Sequence, residues 1–535
     1  MDTSQAPTKP CHNCRRQRLR CDRSYPQCNK CAAAGKECLG YGKLFRWTGA
    51  IASRGKLAGR TSSAPLDAKN SSQQAPLHLR AARSLSPEYA ARNLLDAGSP
   101  TDARDDGRDM QLIIPRARSA DVEVTAPWIL VDPIFQDLNP SYRYYLNYFS
   151  DRLCKDLVSH DVPDCNPFRS LLPLTRDHPL LQHIIVAASA AHMSVLFRST
   201  PAQADGFALP VSSREVASKA ALNDALVAKH KALRLMSSAL QDVESAGGDA
   251  VLAAALFFVN VELIESGKHG WRAHLEGAGR ILSLIQHTKA WDSSLRDYLL
   301  SDCFIYFILA TAFMPPDQEA IKFESSQIPF VLAKTAANSY FCCPPDILEI
   351  LHTASELSSV NIDNGTEDEV AAAAIALLHR AQAFDVETWA ADIRSISSLQ
   401  GVCVESRGHA GSAHRAAACL YILQAIPAVG KKCGRELTDT LIEEIYYHLS
   451  SIPDHDPNFK ATSWPTFIAG AETVSAERRA WIMDRLRRLV SHCPWGFIYT
   501  AMDTLPILWS LAEEQMESTS WVQILKDPDL NFLIV

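Results

Sequence analysis

The chain of 535 residues is long enough for two or three domains, and 47% of its residues are hydrophobic, as in an ordinary globular protein. Its net charge of −7 is unevenly distributed, because residues 1–60 hold thirteen basic and only three acidic residues. This distribution predicts a polyanionic partner for the N-terminal part alone. The best apolar run, Ala250–Val259, is far shorter than the roughly 20 residues that cross a membrane, so we predict no membrane partner.

Six cysteines near the N-terminus form a repeated pattern. The spacing C-x2-C-x6-C occurs twice, with Asp22–Gln27 between the two copies. Zinc binds thiolates in tetrahedral sites, and a pair of cysteines two residues apart lets one short turn present two sulfurs to the metal. The pattern therefore predicts a metal-folded module over residues 9–40. Its ligands are Cys11, Cys14, Cys21, Cys28, Cys31 and Cys38.

The number of cysteines predicts the metal stoichiometry. Two separate zinc sites need eight ligand positions, and six thiolates fill them only if two sulfurs bridge both metals. The first cysteine of each repeat is the natural bridge, so we assign Cys11 and Cys28 to both Zn²⁺ ions. The other four complete the sites in pairs, Cys14 with Cys21 and Cys31 with Cys38.

A disulfide framework is the alternative for six clustered cysteines. The first ten residues contain no apolar run of the kind that begins a secretion signal, which favours a reducing compartment where such cysteines bind metal. A RING domain or a zinc ribbon is disfavoured because its ligand number and spacing differ.

A basic run lies between the second and third cysteines. An arginine can donate two hydrogen bonds to guanine in the major groove, whereas arginines that meet phosphates position a protein without reading sequence. A solvated charge run is the alternative, but a cationic surface on a zinc module is typical of a nucleic-acid reader. The candidate DNA-binding residues are Arg15, Arg16, Arg18 and Arg20.

These features together resemble the fungal Zn2Cys6 binuclear-cluster family, as does the proline in the loop between the two repeats. The resemblance implies a nuclear transcription regulator that reads a CGG-like triplet in double-stranded DNA. It places the base-reading side chain at Arg18, which leaves the other three arginines for phosphates. The position of Gln17 is often basic in the family, so its part in DNA contact is left open.

Two segments of different composition follow the cluster. Residues 43–60 are basic and partly aromatic, and either follow the DNA backbone or pack their aromatic side chains on the zinc module. Residues 61–125 are rich in Ser, Ala, Pro, Asp and Arg, which is typical of a disordered linker. No heptad pattern is sustained there, so no coiled coil is predicted. We therefore assign 41–125 as a linker.

Apolar residues recur at helical spacing from about Trp128 onwards, and strand-like alternation is scarce. We predict one large all-α body over 126–535. Its helices lie near 141–159, 180–198, 213–244, 249–266, 269–287, 293–313, 346–358, 368–385, 412–425, 437–450, 475–491 and 500–516. Residues 250–264 are apolar nearly all round and predict an interior helix. The apolar residues of 213–243 predict a single buried face, made of Val216, Ala220, Leu226, Leu233, Leu240 and Val243.

Five stretches of the body resemble the second type of fungal-specific transcription factor regulatory domain, which implies a helical domain that regulates activity. They are Tyr144–Asp151, Asp164–Leu172, His183–His192, Trp271–Ile281 and Thr462–Arg479. The residues after the cluster and the segment Asp527–Val535 are similar to the subgroup that contains the acriflavine sensitivity control protein.

The chain contains no G-x-S-x-G, H-E-x-x-H, Walker or G-x-G-x-x-G motif, so we predict no enzymatic activity. A zinc-dependent protein-interaction scaffold and an enzyme with a helical catalytic body are the alternatives to a DNA-binding regulator. Trp271 and His274 are candidates for lining a small-molecule effector pocket. The alternative, which is commoner for such residues, is that both pack in the core.

The expected partners are double-stranded DNA, the transcription machinery or its co-regulators, and a second copy of the chain. One zinc module contacts too few base pairs to select a site in a genome. We therefore expect a homodimer through the helical body. The alternative is a monomer in which residues 43–60 extend the contact with DNA.

Overall fold

The computed structural model describes residues 9–17, 19–24, 28–34, 38, 135, 137–162, 166–199, 211–285, 293–314, 323, 327–359, 367–399, 401–514 and 520–535. They belong to two units, one within residues 1–81 and one within 82–535. The predicted linker 41–125, with its basic stretch 43–60, lies outside the described residues.

The described residues are helical with short connections and form no β-strand; one isolated bridge pairs Val158 with Ser339. The α-helices are α1 (His12–Arg16), α2 (Asn29–Ala33), α3 (Pro140–Tyr148), α4 (Cys154–Asp156), α5 (Leu171–Leu174), α6 (Pro179–Ser199), α7 (Val211–Ala239), α8 (Gly248–Glu265), α9 (Trp271–Ile285), α10 (Ser293–Ala312), α11 (Ile328–Leu332), α12 (Pro345–Ser358), α13 (Glu367–Gln382), α14 (Val386–Asp392), α15 (Val404–Ala425), α16 (Pro427–Ser450), α17 (Ser463–Glu472), α18 (Ala476–His492), α19 (Gly496–Glu514) and α20 (Trp521–Leu525). A π-helical turn, Phe149–Leu153, joins α3 to α4.

Each predicted helix of the body has a counterpart, so the all-α prediction is confirmed. The largest difference in bounds is α16, which begins ten residues earlier than predicted and bends at Gly434, where φ is +73°. The structure adds short helices that the sequence pattern did not indicate, such as α11 and α20. Each has five residues, less than two helical turns, and so shows no apolar period.

Helices α6 and α8 lie at the centre of the body. All residues from Asp249 to Ile264 are buried, which confirms the interior helix predicted over 250–264. Residues 179–198 of α6 are long and apolar enough to span a membrane, but 78% of that stretch is buried, and α6 packs against both α7 and α8. It is therefore a core helix of this body.

The predicted orientation of α7 is wrong. Val216, Leu226, Leu233 and Leu240 are between 41% and 68% exposed, and Val243 is the buried member of the predicted face. The face turned to the core consists of Ser218, Ala221, Ala225, Ala228, Ala232 and Met236. Small side chains let two helix backbones approach closely. In α7 the close packing of the alanine face against α6 outweighs the larger apolar area that burial of the leucines would provide.

Polar contacts on two sides hold α7 in this rotation. On one side the ammonium of Lys229 lies 2.8 Å from Glu262 and 3.0 Å from Glu265, at the end of α8. On the other side the hydroxyl of Tyr145 donates to the carboxylate of Asp224 at 2.8 Å. Because both contacts are partly buried, a rotation that turned the leucines inward would leave these charges without partners.

The candidate effector residues are packed against neighbouring side chains. Trp271 is buried, and the ring of His274 stacks on Phe258 with centroids 4.7 Å apart. The Nε2 atom of His274 also lies 3.7 Å from the carboxylate of Glu262. Trp271 therefore lies in the packed interior of the body, and His274 packs against it as a half-buried residue.

The C-terminal end of α8 meets the start of α19 so closely that only glycine fits. A Cβ on Gly496 would lie 2.2 Å from the carbonyl oxygen of Glu265. Nearby, Gly267 has a φ of +71°, and its carbonyl accepts a hydrogen bond of 2.8 Å from the backbone of Leu533. The buried segment Phe532–Val535 is thus attached to the same corner of the body.

Gly496→Ala should destabilise the full chain by roughly 1–3 kcal/mol, because the new methyl group must displace backbone atoms. Gly277→Ala is the matched control: an added Cβ there, inside α9, meets nothing within 4 Å. It should be neutral or stabilising by up to about 1 kcal/mol. Thermal unfolding followed by circular dichroism measures both, and equal melting temperatures would contradict the close contact.

Candidate metal centre and nucleic-acid interface

Two short helices present the paired cysteines of the two repeats. Cys11 caps α1, and its Sγ accepts a hydrogen bond from the backbone N–H of Cys14 at 3.4 Å. Cys28 caps α2 in the same way and accepts from the N–H of Cys31 at 3.3 Å. The C-x2-C spacing thus places one sulfur at the cap and the next one turn along, on the same side of the helix.

The third cysteine of each repeat returns to its own helix start. The backbone N–H of Cys11 donates to the sulfur of Cys21 at 3.4 Å, and that of Cys28 donates to the sulfur of Cys38 at 3.5 Å. The repeat in sequence is therefore a repeat in structure. Such N–H groups stabilise thiolates by bringing partial positive charge to the sulfur.

The six sulfurs form two groups of four, and in each group the sulfurs lie within 4.8 Å of one another. One group is Cys11, Cys14, Cys21 and Cys28, and the other is Cys11, Cys28, Cys31 and Cys38. Each group suits one tetrahedral zinc ion. The two groups share Cys11 and Cys28, which is the arrangement expected if these two residues bridge the metals.

The sulfur separations fit coordination to a metal. In a tetrahedral site with Zn–S bonds near 2.3 Å, neighbouring sulfurs lie about 3.8 Å apart. The Sγ of Cys11 is 3.6 Å from that of Cys28 and 3.8 Å from that of Cys31, and the sulfurs of Cys14 and Cys28 are 3.8 Å apart. A disulfide would need a separation near 2.05 Å, so these contacts do not match the alternative of a disulfide framework.

Asp22 links the two repeats, a contact that the spacing of the cysteines did not reveal. Its carboxylate accepts hydrogen bonds from the backbone N–H groups of Asn29, at 2.9 Å, and Lys30, at 3.3 Å, in α2. The Ser24 hydroxyl also donates to it. The bond from Ser24 and those from the backbone hold the pKa of Asp22 well below its usual range. The sequence signal that could have revealed this contact is the acidic residue directly after the third cysteine of the first repeat.

The described part of the module carries an unpaired positive surface. Arg15 on α1 and Arg20 beyond it are exposed, and neither forms an ion pair with a described residue. Arg16 belongs to α1, but its side chain lies outside the described residues, as does the whole of Arg18. The structure therefore brings two of the four predicted DNA-binding arginines to the surface of the cysteine cluster. Among the described residues of the module, Lys9, Arg23 and Lys30 are also basic and exposed.

Two family models match the chain. The model described as Fungal Zn(2)-Cys(6) binuclear cluster domain matches residues 9–48, which confirms the predicted two-zinc cofactor. The model described as Fungal specific transcription factor domain matches residues 144–535, the greater part of the helical body.

The chain is also similar over its whole length to a protein from Neurospora crassa. This relative, acriflavine sensitivity control protein acr-2, is 32% identical, and the match covers 99% of this chain and 97% of the relative. The subgroup resemblance noted in the sequence agrees with this finding. No solved structure matches the chain.

The shared sulfurs predict different effects for a shared and an unshared cysteine. Cys28→Ala should disturb both metal sites, whereas Cys14→Ala should leave one zinc bound. Native mass spectrometry of the full chain, with two zinc ions expected for the wild type, measures the stoichiometry. Loss of the same number of zinc ions from both variants would contradict the sharing of Cys11 and Cys28 by the two metal sites.

Asp22→Ala should weaken the module without removing a ligand, because two backbone N–H groups of α2 lose their acceptor. We expect two zinc ions to remain bound but to be removed at a lower concentration of chelator. Lys30→Ala, at an exposed position on α2, is the control and should resemble the wild type. An unchanged chelator midpoint for Asp22→Ala would show that the link between the repeats is dispensable.

Proposed function

The chain belongs to the fungal transcription-factor family that carries a Zn(2)-Cys(6) binuclear cluster, and we propose that it is a nuclear, sequence-specific DNA-binding regulator of genes transcribed by RNA polymerase II. The observation that carries the proposal is the group of exposed, unpaired cations around the cysteine cluster. Asp22, the one acidic residue in the described part of the module, is engaged with α2. DNA phosphates are the partners that such a surface attracts.

In this proposal, Arg18 reads a base in the major groove, within a CGG-like triplet, while Arg15, Arg16 and Arg20 contact phosphates. The support is threefold: the resemblance of the motif to the family, the exposure of Arg15 and Arg20, and the ability of arginine to pair with guanine through two hydrogen bonds. The six cysteines Cys11, Cys14, Cys21, Cys28, Cys31 and Cys38 are the proposed zinc ligands, with Cys11 and Cys28 bridging.

The helical body is proposed to regulate the activity of the DNA reader and to contact the transcription machinery or its co-regulators. Membership of a family of transcription factors supports this role over that of an enzyme. The density of exposed cations on the module favours DNA over a purely protein-binding scaffold.

We further propose that the chain acts as a homodimer through its helical body. A single module reads only a few base pairs, while a genome offers about 10⁶–10⁹ competing sites. Two modules in one particle double the number of bases and phosphates contacted. A body of this size has the surface that a dimer interface requires, and the predicted linker carries no heptad pattern.

Two arginine substitutions in the full chain test the division of roles. Arg18→Ala should cost ~1–3 kcal/mol on the preferred site and relax the preference at one base pair. Arg15→Ala should weaken binding to all sequences alike and reduce the salt slope by about 1. Binding to a panel of duplexes at several salt concentrations measures both effects.

Gln17→Ala is the matched control for these variants, because Gln17 is exposed beside α1 and carries no charge. It should leave the salt slope unchanged. Identical sequence profiles for Arg18→Ala and Arg15→Ala would refute the assignment of Arg18 as the base reader, and a wild-type chain without any sequence preference would refute the proposed function.

A further inference from the structure

A cavity of about 390 Å³ opens on the surface of the helical body. It lies between α4 with the residues after it, a 3₁₀ turn over Pro457–Thr462 with the residues before it, and the C-terminal end of α18. This volume is typical of small-molecule sites, which range from about 300 to 1,000 Å³. The wall combines the buried ring of Phe459 with eight ionisable side chains, those of Lys155, Asp156, Asp161, Asp454, His455, Asp456, Lys460 and His492.

The two carboxylates on the α4 side of the cavity already have cationic partners. Asp156, whose side chain is 4% exposed, lies 2.5 Å from the guanidinium of Arg152 and 3.1 Å from the ring of His192. Asp161 lies 2.5 Å from the guanidinium of Arg169. These two acids are therefore engaged inside the protein.

The two carboxylates before the 3₁₀ turn are also engaged. Asp454 lies 2.6 Å from the guanidinium of Arg488 on α18. Asp456 begins the turn, and its carboxylate accepts hydrogen bonds from the backbone N–H of Asn458 at 2.8 Å and from the Asn458 side chain at 2.9 Å. The acidic part of the wall thus offers little free charge to a ligand.

The lysines of the wall have no such partners. The ammonium of Lys460 donates a hydrogen bond to the carbonyl of Lys155, and it forms no ion pair with a described residue. Burial lowers the pKa of Lys460, so its charged form is poorly solvated where it stands. Lys155 is exposed at the rim of the cavity and also forms no ion pair with a described residue.

A third unpaired cation lies directly behind the aromatic wall. The guanidinium of Arg485 stacks 4.5 Å from the centre of the Phe459 ring and is 1% exposed. It donates to the hydroxyl of Thr462 at 3.1 Å, but its Nε has no hydrogen-bond partner, and no described carboxylate pairs with it. Buried charges are normally paired. Burial lowers the pKa of Arg485 to about 9, which agrees with an uncompensated positive charge.

We infer that this cavity binds a small organic anion, whose carboxylate or phosphate oxygens pair with Lys460 and whose apolar part lies on Phe459. The inference deepens the proposed regulatory role of the helical body by naming the class of ligand that the body takes. It rests on that role only for its biological purpose, since ligand binding can be measured without DNA.

The state of each charge favours an anion over a cation. A cationic ligand would have to compete with the arginines that already hold the carboxylates of the wall. An anion instead gives Lys460 the counter-charge that the described residues do not supply. An ammonium group has three donors, and Lys460 uses one of them on the carbonyl of Lys155, which leaves two for the oxygens of a ligand.

Four probes that share a phenyl ring and differ in charge test the class of ligand. They are benzoate, phenyl phosphate, benzylamine and benzyl alcohol, titrated into the zinc-loaded full chain at constant ionic strength and followed by ligand-observed NMR. At least one of the two anions should bind at least roughly tenfold more tightly than the amine and the alcohol, because only an anion forms charge-assisted hydrogen bonds with Lys460. The tighter of the two anions identifies the preferred oxygen group.

Substitutions at Lys460 locate the binding. Lys460→Gln should weaken the binding of the preferred anion at least roughly tenfold, and Lys460→Arg should retain most of it because the charge is kept. Lys526→Gln is the matched control: Lys526 is also buried and without an ion pair to a described residue, but it does not line the cavity. This control should bind the anion like the wild type.

The cations of the zinc module need a separate control, because they also attract anions. Arg15→Ala combined with Arg20→Ala should leave the binding of the phenyl anions unchanged. If these substitutions abolish the binding while Lys460→Gln leaves it intact, the anions bind the DNA-reading surface and the inference is wrong.

Circular dichroism establishes whether each variant is folded. If Lys460→Gln unfolds, Lys155→Gln replaces it, since Lys155 is exposed, and this variant should weaken anion binding about threefold. Equal binding of benzylamine and the anions, no binding of either anion, or wild-type affinity in the folded lysine variant would each overturn the inference.

Binding of the same wild-type chain to a panel of DNA duplexes separates the two proposals. A chain that reads DNA sequence but binds neither anion refutes the cavity inference alone. A chain that binds the anions through Lys460 but shows no sequence preference on DNA refutes the DNA-reading function alone.

Discussion

The close approach of the Cys11 and Cys28 sulfurs, 3.6 Å apart, is the constraint on which the N-terminal module depends. In the part of the module that the structure describes, the buried apolar residues are all cysteines, and helices α1 and α2 have five residues each. Helices of that length are unstable alone in water. Metal coordination is therefore expected to supply the folding energy of this module.

The helical body follows a different physical rule. Its core is continuous and apolar, with α8 buried all round and the aromatic residues of many helices in contact. Burial lowers the pKa of His414 in this core to about 4, and one ring nitrogen of His414 lies 3.0 Å from the carbonyl oxygen of Ala461.

The choice of which face of α7 is buried connects the stability of the body to its surface. Alanines allow α6 and α7 to approach closely, and the ion pairs of Lys229 with Glu262 and Glu265 hold the rotation. The cost of that packing is that Leu226, Leu233 and Leu240 remain exposed.

The sequence by itself determined the features that depend on local spacing. The repeated pattern of six cysteines predicted the zinc ligands, the two shared cysteines and the position of the zinc module. The 3.6-residue period of apolar residues predicted the long helices of the body. Both predictions succeed from sequence because ligand spacing and helical periodicity are local properties of the chain. The tertiary structure alone decided the rest. It turned the alanines of α7 inward, kinked α16 at Gly434 and brought Asp22 to the start of α2, because these outcomes depend on which distant surface each element meets.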